Sequence, residues 1–229
     1  MPAADPTPRY LQYGSGPSGA PGWLNVDASP TLRAQRLPVV GALVRRTLPE
    51  GRFLFDRSVV YGDVVAGLPV EPGSFRGVYC SHVLEHLALD DCHTALRNTF
   101  TYLAPGGLFR LVMPDLRALA EAYLAVPGPD AAHQFMERAW LGRPTRPRSV
   151  ANRAVAALGV ADHLWMWDER SMAAALERHG FVDVRRAEIG DSEDPRFAEV
   201  EDPSRWAEPG FDGTPGTLRC LGMEARRPP

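Results

Sequence analysis

The feature that most constrains this fold is the alternation of short apolar runs with amphipathic helical patterns along the chain. Leu108 to Met113 is a near-continuous apolar run, which is typical of a strand buried on both faces of a parallel sheet. Helical patterns over 89–103 and 116–125 stand on either side of it. Strands that alternate with helices in this way predict an α/β fold with a mostly parallel sheet.

The remaining pattern predicts a seven-stranded sheet in a single domain over residues 1–229. A helix is expected after Asp168, a short amphipathic helix at Val39–Val44, a helical cap insertion over 116–162 and a long acidic, Pro- and Gly-rich loop over 191–216. Apolar or β-branched runs bounded by turn residues predict the other six strands, at 10–13, 23–26, 58–61, 77–80, 181–187 and 218–225.

All 25 Lys-or-Arg positions are Arg, so the chain contains no lysine. This excludes a Schiff-base lysine, a Walker-type phosphate-binding lysine and a kinase-type lysine. Pyridoxal-phosphate enzymes and P-loop nucleotide hydrolases are therefore excluded. A coding bias that also enriches Ala, Pro and Gly accounts for the composition.

Charge and cysteine content bear on partners and location. A net charge of −3 argues against a nucleic-acid-binding protein, and the chain has no run of about 18 apolar residues to span a membrane. Residues 1–9 are polar and Pro-rich, without a signal-peptide core. Three cysteines without a Cys-x-x-Cys pair predict a reduced, cytoplasmic protein, in which Cys80 and Cys92 are buried as small hydrophobic residues.

A glycine-rich turn after the first strand is the first candidate binding element. Gly14 and Gly16 allow the backbone to bend and to approach a ligand closely, although a plain tight turn would also use them. Asp27 ends the second strand, where a carboxylate can accept both hydroxyls of a ribose. It follows Gly16 by only eleven positions, so no full helix fits between the two strands.

Polar residues end two more strands. Asp63 follows the third strand, and Ser81 and His82 follow the fourth. In a doubly wound sheet, ligands bind in the crevice beyond the carboxyl ends of the strands. The convergence of four such strand ends predicts one ligand site.

At this point the sequence resembles the class I S-adenosylmethionine-dependent methyltransferases, especially a small bacterial branch with a very short first crossover. The segments that carry the resemblance are L-Q-Y-G-S-G-P-S-G-A-P-G-W-L-N-V-D, Y-G-D-V-V-A-G-L-P, G-S-F-R-G-V-Y-C-S-H-V-L-E-H-L, Y-L-A-P-G-G-L-F-R-L-V-M-P-D-L, H-L-W-M-W-D and L-E-R-H-G-F-V-D-V-R. The joint order of these segments, over roughly residues 10–225, is more specific than any one of them. The resemblance implies a Rossmann-like fold and the cofactor S-adenosylmethionine.

The resemblance also implies roles for individual residues. A glutamine stands where the family often has an acidic residue, and a proline replaces a third glycine. The implied cofactor-binding residues are Gln12 for the amino group, Gly14, Ser15 and Gly16 under the methionine part, Asp27 at the ribose, Asp63 and Val64 at the adenine, and Ser81 and His82 beside the sulfonium.

His82, Glu85 and His86 form a His-x-x-Glu-His pattern that allows several interpretations. On a helix it is the inverted zinc-protease motif, with two metal ligands and a base. Glu85 and His86 can equally cap the following helix, and His82 can point into the crevice. Because the cofactor motifs precede it, no metal is expected.

Three residues are candidates for catalysis. His163 stands beside Trp165 and Trp167, where it can wall an acceptor pocket and act as a general base, or simply pack in an aromatic cluster. His82 is the second candidate base. Asp115 follows the fifth strand and can orient an acceptor or cap its helix.

The predicted function is methyl transfer from S-adenosylmethionine to an oxygen or nitrogen of a small molecule or glycan, by a monomer or homodimer. The alternatives are a non-catalytic S-adenosylmethionine-binding partner protein and a zinc hydrolase. The Arg-rich stretch Arg143–Arg153 either binds an anionic acceptor or is a solvated loop.

Overall fold

The computed structural model describes residues 9–17, 19–38, 41, 54–142, 162–211 and 213–229. The strands are β1 (Tyr10–Tyr13), β2 (Leu24–Asp27), β3 (Val59–Tyr61), β4 (Phe75–Ser81), β5 (Leu103–Pro114), β6 (Val182–Arg186), β7 (Ala207–Glu208) and β8 (Leu218–Arg226). They form one sheet in the order β3-β2-β1-β4-β5-β8-β6, and β7 pairs with β8 beside this path.

The sheet is mostly parallel, as predicted. The pairs among β1 to β5 are all parallel, whereas β8 runs antiparallel to both β5 and β6. The sheet has eight strands rather than seven because the two-residue β7 adds a short antiparallel pairing to β8. The strand order reverses between β1 and β4, so their carboxyl ends flank the point where such sheets bind ligands.

Two helices, Leu89–Tyr102 and Glu169–Arg178, pack on one face of this sheet. The α-helices within the described residues are α1 (Pro30–Arg36), α2 (Leu89–Tyr102), α3 (Leu116–Ala125), α4 (Ala131–Arg138) and α5 (Glu169–Arg178). Leu96 of α2 and Leu176 of α5 pack in one buried cluster with Leu11, Cys80 and Leu111 of the strands. Cys80, Cys92 and Cys220 are all buried and unpaired.

The opposite face is covered by a segment of the C-terminal part of the chain. Residues 14–23 join β1 to β2 without a helix, so the face next to β1 needs another cover. Residues 188–206, which we call the strap, supply it: Phe197 is fully buried against Tyr10 and Tyr79. The long loop predicted over 191–216 is largely irregular, but it also holds the 3-10 helices Pro195–Glu199 and Pro203–Arg205 as well as β7, which the sequence did not predict. Its fold comes from contacts with distant residues.

A buried arginine joins the strap to the sheet. Arg110 of β5 is fully buried, and its guanidinium forms ion pairs with Glu201 and Asp191 of the strap and with Glu224 of β8. The same group lies over the ring of Trp206, 5.0 Å from its centroid. A buried charge is tolerated only where it is paired and hydrogen-bonded, and here the strap provides two of the three carboxylates.

The predicted cap region is described in part. Leu119 of α3 packs with Ala139, Phe211 and Leu218 in a separate small cluster. Residues 143–161, including the Arg-rich stretch, lie outside the described residues, as does the predicted Val39–Val44 helix apart from Gly41. No helix in the described part of the chain is long and apolar enough to cross a membrane.

Candidate functional site

The glycine-rich turn after β1 needs its glycines for two physical reasons. Gly14 and Gly16 both have φ of 66°, in the left-handed region that favours glycine. A Cβ on Gly14 would lie 2.1 Å from Cγ2 of Val83, so a side chain at this position would force the turn away from the end of β4. The turn therefore passes close beneath the segment that carries His82.

Asp27 at the end of β2 is tied directly to this turn. The Gly16 N–H donates to Oδ2 of Asp27 at 3.0 Å, and the Ser29 N–H donates to Oδ1 at 2.7 Å. A carboxylate has about four acceptor positions, so each oxygen keeps capacity for a further donor. The arrangement fixes the orientation of the carboxylate relative to the glycine turn.

Asp63 after β3 holds the next turn. Its Oδ1 accepts hydrogen bonds from the N–H groups of Val65 at 2.8 Å and Ala66 at 3.4 Å. Val64, which follows Asp63, is buried, and its carbonyl accepts a hydrogen bond of 2.7 Å from the Asn98 side chain. Asp63 and Val64 thus lie at the same edge of the sheet as Asp27.

A cleft of about 480 Å³ opens at the carboxyl ends of β1 and β4. The sheet contributes the predicted residues Gln12, Gly14, Ser15, Gly16 and Ser81 to its wall. The other predicted cofactor-binding residues, Asp27, Asp63, Val64 and His82, do not line this cleft. The structure therefore gathers only part of the predicted set around it. Its size is within the usual range for small-molecule sites.

The strap forms the other wall of the cleft. Glu201, Asp202 and Arg205 line it together with the sheet residues. Sequence analysis missed these residues, since a Pro- and Gly-rich stretch carries no periodic signal that would place it over a strand end.

His82 is held in a strained conformation where β4 ends. Its φ is 54°, which is uncommon outside glycine, and its N–H donates to the Val112 carbonyl at 2.8 Å. Burial, followed by the positive charge of Arg205, lowers the pKa of His82 to about 3. The imidazole is therefore neutral at pH 7, and it is a weaker base than an ordinary histidine.

Glu85, His86 and His163 come together beside His82. One donor atom of each lies within 4.8 Å of the donor atoms of the other two. Burial raises the pKa of Glu85 to about 8 and lowers the pKa of both histidines below their ordinary value. The N–H groups of Leu164 and Trp165 both donate to the Glu85 carbonyl, which fixes the segment of His163 against this cluster.

The His-x-x-Glu-His pattern does not lie on an α-helix. Glu85 and His86 belong to the 3-10 helix Leu84–His86, and His82 precedes it. They do not cap α2 either, because its N-cap is Ala88 and no side chain bonds there. The arrangement of an inverted zinc protease, with its histidines on one helix face, is therefore absent from this segment.

The aromatic wall expected around His163 is formed in part. His163 is buried and stacks against Trp140, with 6.0 Å between the ring centroids. Trp165 is largely exposed, whereas Trp167 is buried in the core below α2 and α5. Trp140 is therefore an aromatic neighbour of His163 that the local sequence did not indicate.

Asp115 serves the structure in two ways. Its Oδ1 accepts the N–H of Arg117 at 2.9 Å and so caps α3. Its Oδ2 forms an ion pair with the Arg186 guanidinium at 3.1 Å. Both carboxylate oxygens have structural partners, so its position is explained without an acceptor.

The sequence matches the model of a family described as a methyltransferase domain over residues 9–186. No curated protein matches it.

Several solved structures are similar to the chain. PigF with SAH is 17% identical with a TM-score of 0.43, and the match covers 95% of this chain and 49% of that one. The complex of the Haloferax volcanii Trm112 methyltransferase activator with a methyltransferase is 15% identical with a TM-score of 0.49, covering 96% and 82%. Haemonchus contortus phosphoethanolamine N-methyltransferase 2 with S-adenosyl-L-methionine is 16% identical with a TM-score of 0.47, covering 96% and 49%. The chain thus spans about half the length of the first and third proteins.

Proposed function

The chain belongs to the methyltransferase-domain family; from this premise we propose that it is a class I S-adenosylmethionine-dependent enzyme that methylates an oxygen or nitrogen of a small molecule or glycan. The observation that carries the proposal is the hydrogen bond between the Gly16 N–H and the Asp27 carboxylate, beside a cleft lined by Gln12 and Ser81. Together they place a glycine turn, a fixed carboxylate and a cavity at the carboxyl ends of β1, β2 and β4.

The residues at this edge fit the methyl donor. The Gly14 turn leaves room for close approach, and Asp27 keeps acceptor capacity for two ribose hydroxyls. Asp63 and Val64 would border the adenine, and Gln12 the amino group. Arg205, which sequence analysis missed, offers a guanidinium in the cleft to the donor carboxylate.

The donor supplies an already activated methyl group on a sulfonium, so the protein contributes mainly alignment and exclusion of water. His82 and His163 remain our candidates at the reacting atoms. Because burial lowers the pKa of both side chains, each would act there as a neutral imidazole that orients the acceptor. Asp115 is a positioning residue at most, because its two carboxylate oxygens already bind the Arg117 N–H of α3 and the Arg186 guanidinium.

The acceptor belongs to the same proposal. We place it between the strand ends and a cap formed by residues 116–162 of a single domain, of which α3 and α4 are the described parts. The Arg143–Arg153 stretch would favour an anionic acceptor. We expect the enzyme to work in the cytoplasm as a monomer or homodimer.

A calorimetric titration with S-adenosylmethionine tests the donor site. Asp27→Ala and the more conservative Asp27→Asn should each weaken binding by ten-fold or more, since the ribose contact is lost or reduced. The matched control is Asp90→Ala, which removes an exposed carboxylate from the first turn of α2. If both Asp27 variants bound S-adenosylmethionine as tightly as Asp90→Ala and the unaltered protein, the placement of the donor would be refuted. Unfolding midpoints must show that all three variants are folded.

A second experiment addresses the acceptor. The protein is incubated with S-adenosylmethionine carrying a labelled methyl group and with panels of hydroxylated, amino-bearing and glycan compounds. Transfer of label to one of these classes supports the proposal. Donor binding without transfer to any panel would favour a non-catalytic role instead.

A further inference from the structure

A compact set of metal-ligating side chains lies just beyond the end of β4. Glu85 and His86 come from the 3-10 helix after β4, and His163 comes from the segment that leads to Trp167. One donor atom of each lies within 4.8 Å of the others. Three groups from two distant parts of the chain therefore converge on one point.

The hydrogen bonds of the two imidazoles fix which nitrogen is free. Nδ1 of His163 lies 2.8 Å from the Ala139 carbonyl, and Nδ1 of His86 lies 3.2 Å from the Asp162 carbonyl. A carbonyl oxygen only accepts, so Nδ1 carries the proton in both rings and Nε2 keeps a lone pair. Metal-bound histidines are held in this way, with the non-ligating nitrogen donating to a carbonyl or carboxylate.

Glu85 is a buried carboxyl without a hydrogen-bond partner. Its side chain is 1% exposed, and neither oxygen is hydrogen-bonded to any residue that the structure describes. Nδ1 of His82 lies 3.3 Å from Oε1. Buried polar groups almost always have a partner, so a group of this kind in a native site calls for one.

We propose that Glu85, His86 and His163 bind a divalent transition-metal ion, with Zn²⁺ as the best fit. Two imidazole nitrogens and one carboxylate oxygen suit zinc and its neighbours better than Mg²⁺ or Ca²⁺, which prefer oxygen ligands. Three protein ligands also leave a coordination position open, as in catalytic zinc sites.

The position of this ion gives it a role that rests on the proposed methyl transfer. His82 contacts Glu85 and directly follows Ser81, which lines the cleft. An acceptor hydroxyl on the open position would lose its proton to water, because the metal lowers its pKa. Its oxygen then forms the new C–O bond, and the C–S electron pair stays with the donor sulfur. The products are a methyl ether, a neutral thioether and one proton.

Metal titration tests the site without any need for turnover. Protein freed of metal with a chelator is titrated with Zn²⁺ by calorimetry and with Co²⁺ by visible absorption, which reports its ligands. We expect one ion per chain, not displaced by a ten-fold excess of Mg²⁺. Glu85→Gln and His163→Gln should each weaken Zn²⁺ binding by at least about ten-fold, since even outer-shell changes have effects of that size.

Matched controls separate this site from other histidines and from a neighbouring cluster. His133→Gln on exposed α4 and His179→Gln, whose ring pairs with His93, should leave Zn²⁺ binding unchanged. Cys220→Ser probes the adjacent group His82, Glu208 and Cys220. Absence of stoichiometric binding, unchanged binding in both Glu85→Gln and His163→Gln, displacement by Mg²⁺, or loss on Cys220→Ser would each overturn the assignment.

Donor binding is measured separately on the same variants. Glu85→Gln should retain affinity for S-adenosylmethionine within about three-fold, because this residue is not among those that line the donor cleft. Loss of Zn²⁺ binding with retained donor binding supports the site as a separate feature. Failure of donor binding by the unaltered protein would refute the proposed function and leave the metal result standing.

Discussion

Replacing Arg110 with Met should destabilise the whole fold. The side chain is fully buried in β5 and forms ion pairs with Glu201, Asp191 and Glu224. Met keeps much of the aliphatic volume but removes the charge and every donor. Two of the carboxylates left behind are themselves buried, with side-chain exposures of 2% for Glu201 and 5% for Glu224.

The size of the effect follows mainly from Glu201, because Glu224 keeps its ion pair with Arg185. Removing one partner of a buried ion pair costs about 3–5 kcal/mol when the remaining charge stays uncompensated. Asp191 adds little, since it is partly exposed and can be solvated. With a urea dependence of about 2 kcal/mol per molar, a loss of about 3–5 kcal/mol lowers the unfolding midpoint by roughly 1.5–2.5 M.

Urea unfolding followed by tryptophan fluorescence measures this shift. The matched control is Arg219→Met, which removes an exposed ion pair to Glu188 and should change stability by less than about 0.5 kcal/mol. Combining Arg110→Met with Glu201→Gln should recover part of the loss, because it removes the buried charge that has no other ion-pair partner among the described residues. Hydrogen exchange should also show faster exchange in the strap. If Arg110→Met matched Arg219→Met, the strap would not depend on this buried charge, and our reasoning would be refuted.

Three further predictions concern the turn, the strap and its pH dependence. Gly14→Ala should reduce stability and donor affinity together, because it adds a Cβ at φ of 66° that meets Val83 at 2.1 Å. Adding Val83→Ala relieves the clash but not the backbone strain, so it should restore only part of the lost stability. Full recovery would refute the argument from the backbone. Phe197→Ala should cost about 3–5 kcal/mol in urea unfolding, because its ring is fully buried; a loss below about 1 kcal/mol would mean that the strap packs loosely. Burial opposes ionisation of Asp191, but its hydrogen bond from Arg185 prevails and lowers the pKa of Asp191 to about 2. The stabilisation from this carboxylate is therefore complete above about pH 4 and lost as the pH falls towards 2; thermal unfolding of Asp191→Asn should differ from the unaltered protein at pH 6 and converge with it by pH 2.

Local sequence patterns predicted the elements whose signals are local. The α3 helix was expected from Leu116 to Ala125 and has those bounds, since its apolar period and its Asp115 cap lie within a few residues. The apolar run at Leu108–Met113 likewise predicted the central strand β5. The helix α1 begins with a local signal as well, because Ser29 caps it and Pro30 is its first residue.

Long-range contacts were beyond such patterns. The Trp23 indole N–H donates to Glu199 across 176 positions, and Arg110 pairs with Glu201 across 91. No periodicity within residues 191–206 reveals that a partner so distant will order them. The strap was therefore predicted as a loop, and its contribution to the cleft was missed.

In the candidate site, too, some residues have a local sequence signal and others depend on long-range contacts. Gly14, Asp27 and Ser81 were predicted as site residues because each ends or follows a strand, and parallel strands bring their carboxyl ends together. His163 was singled out for its tryptophan neighbours, yet its proximity to Glu85 and His86 depends on backbone hydrogen bonds between two separate segments. The grouping of Glu85, His86 and His163 thus depends on tertiary contacts, which local patterns do not reveal.

The strap also sets the order in which the protein can mature on the ribosome. Tyr10 and Trp23 lie at the start of the chain, but their partners Asp194 and Glu199 are made 184 and 176 residues later. At about 5–20 residues per second, that delay is roughly 10–35 s, during which one face of the nascent sheet lacks its cover. A chain stalled before residue 188 would present aromatic side chains to chaperones and to other nascent chains. Translation speed over the codons for residues 188–206 therefore bears on the yield of folded protein.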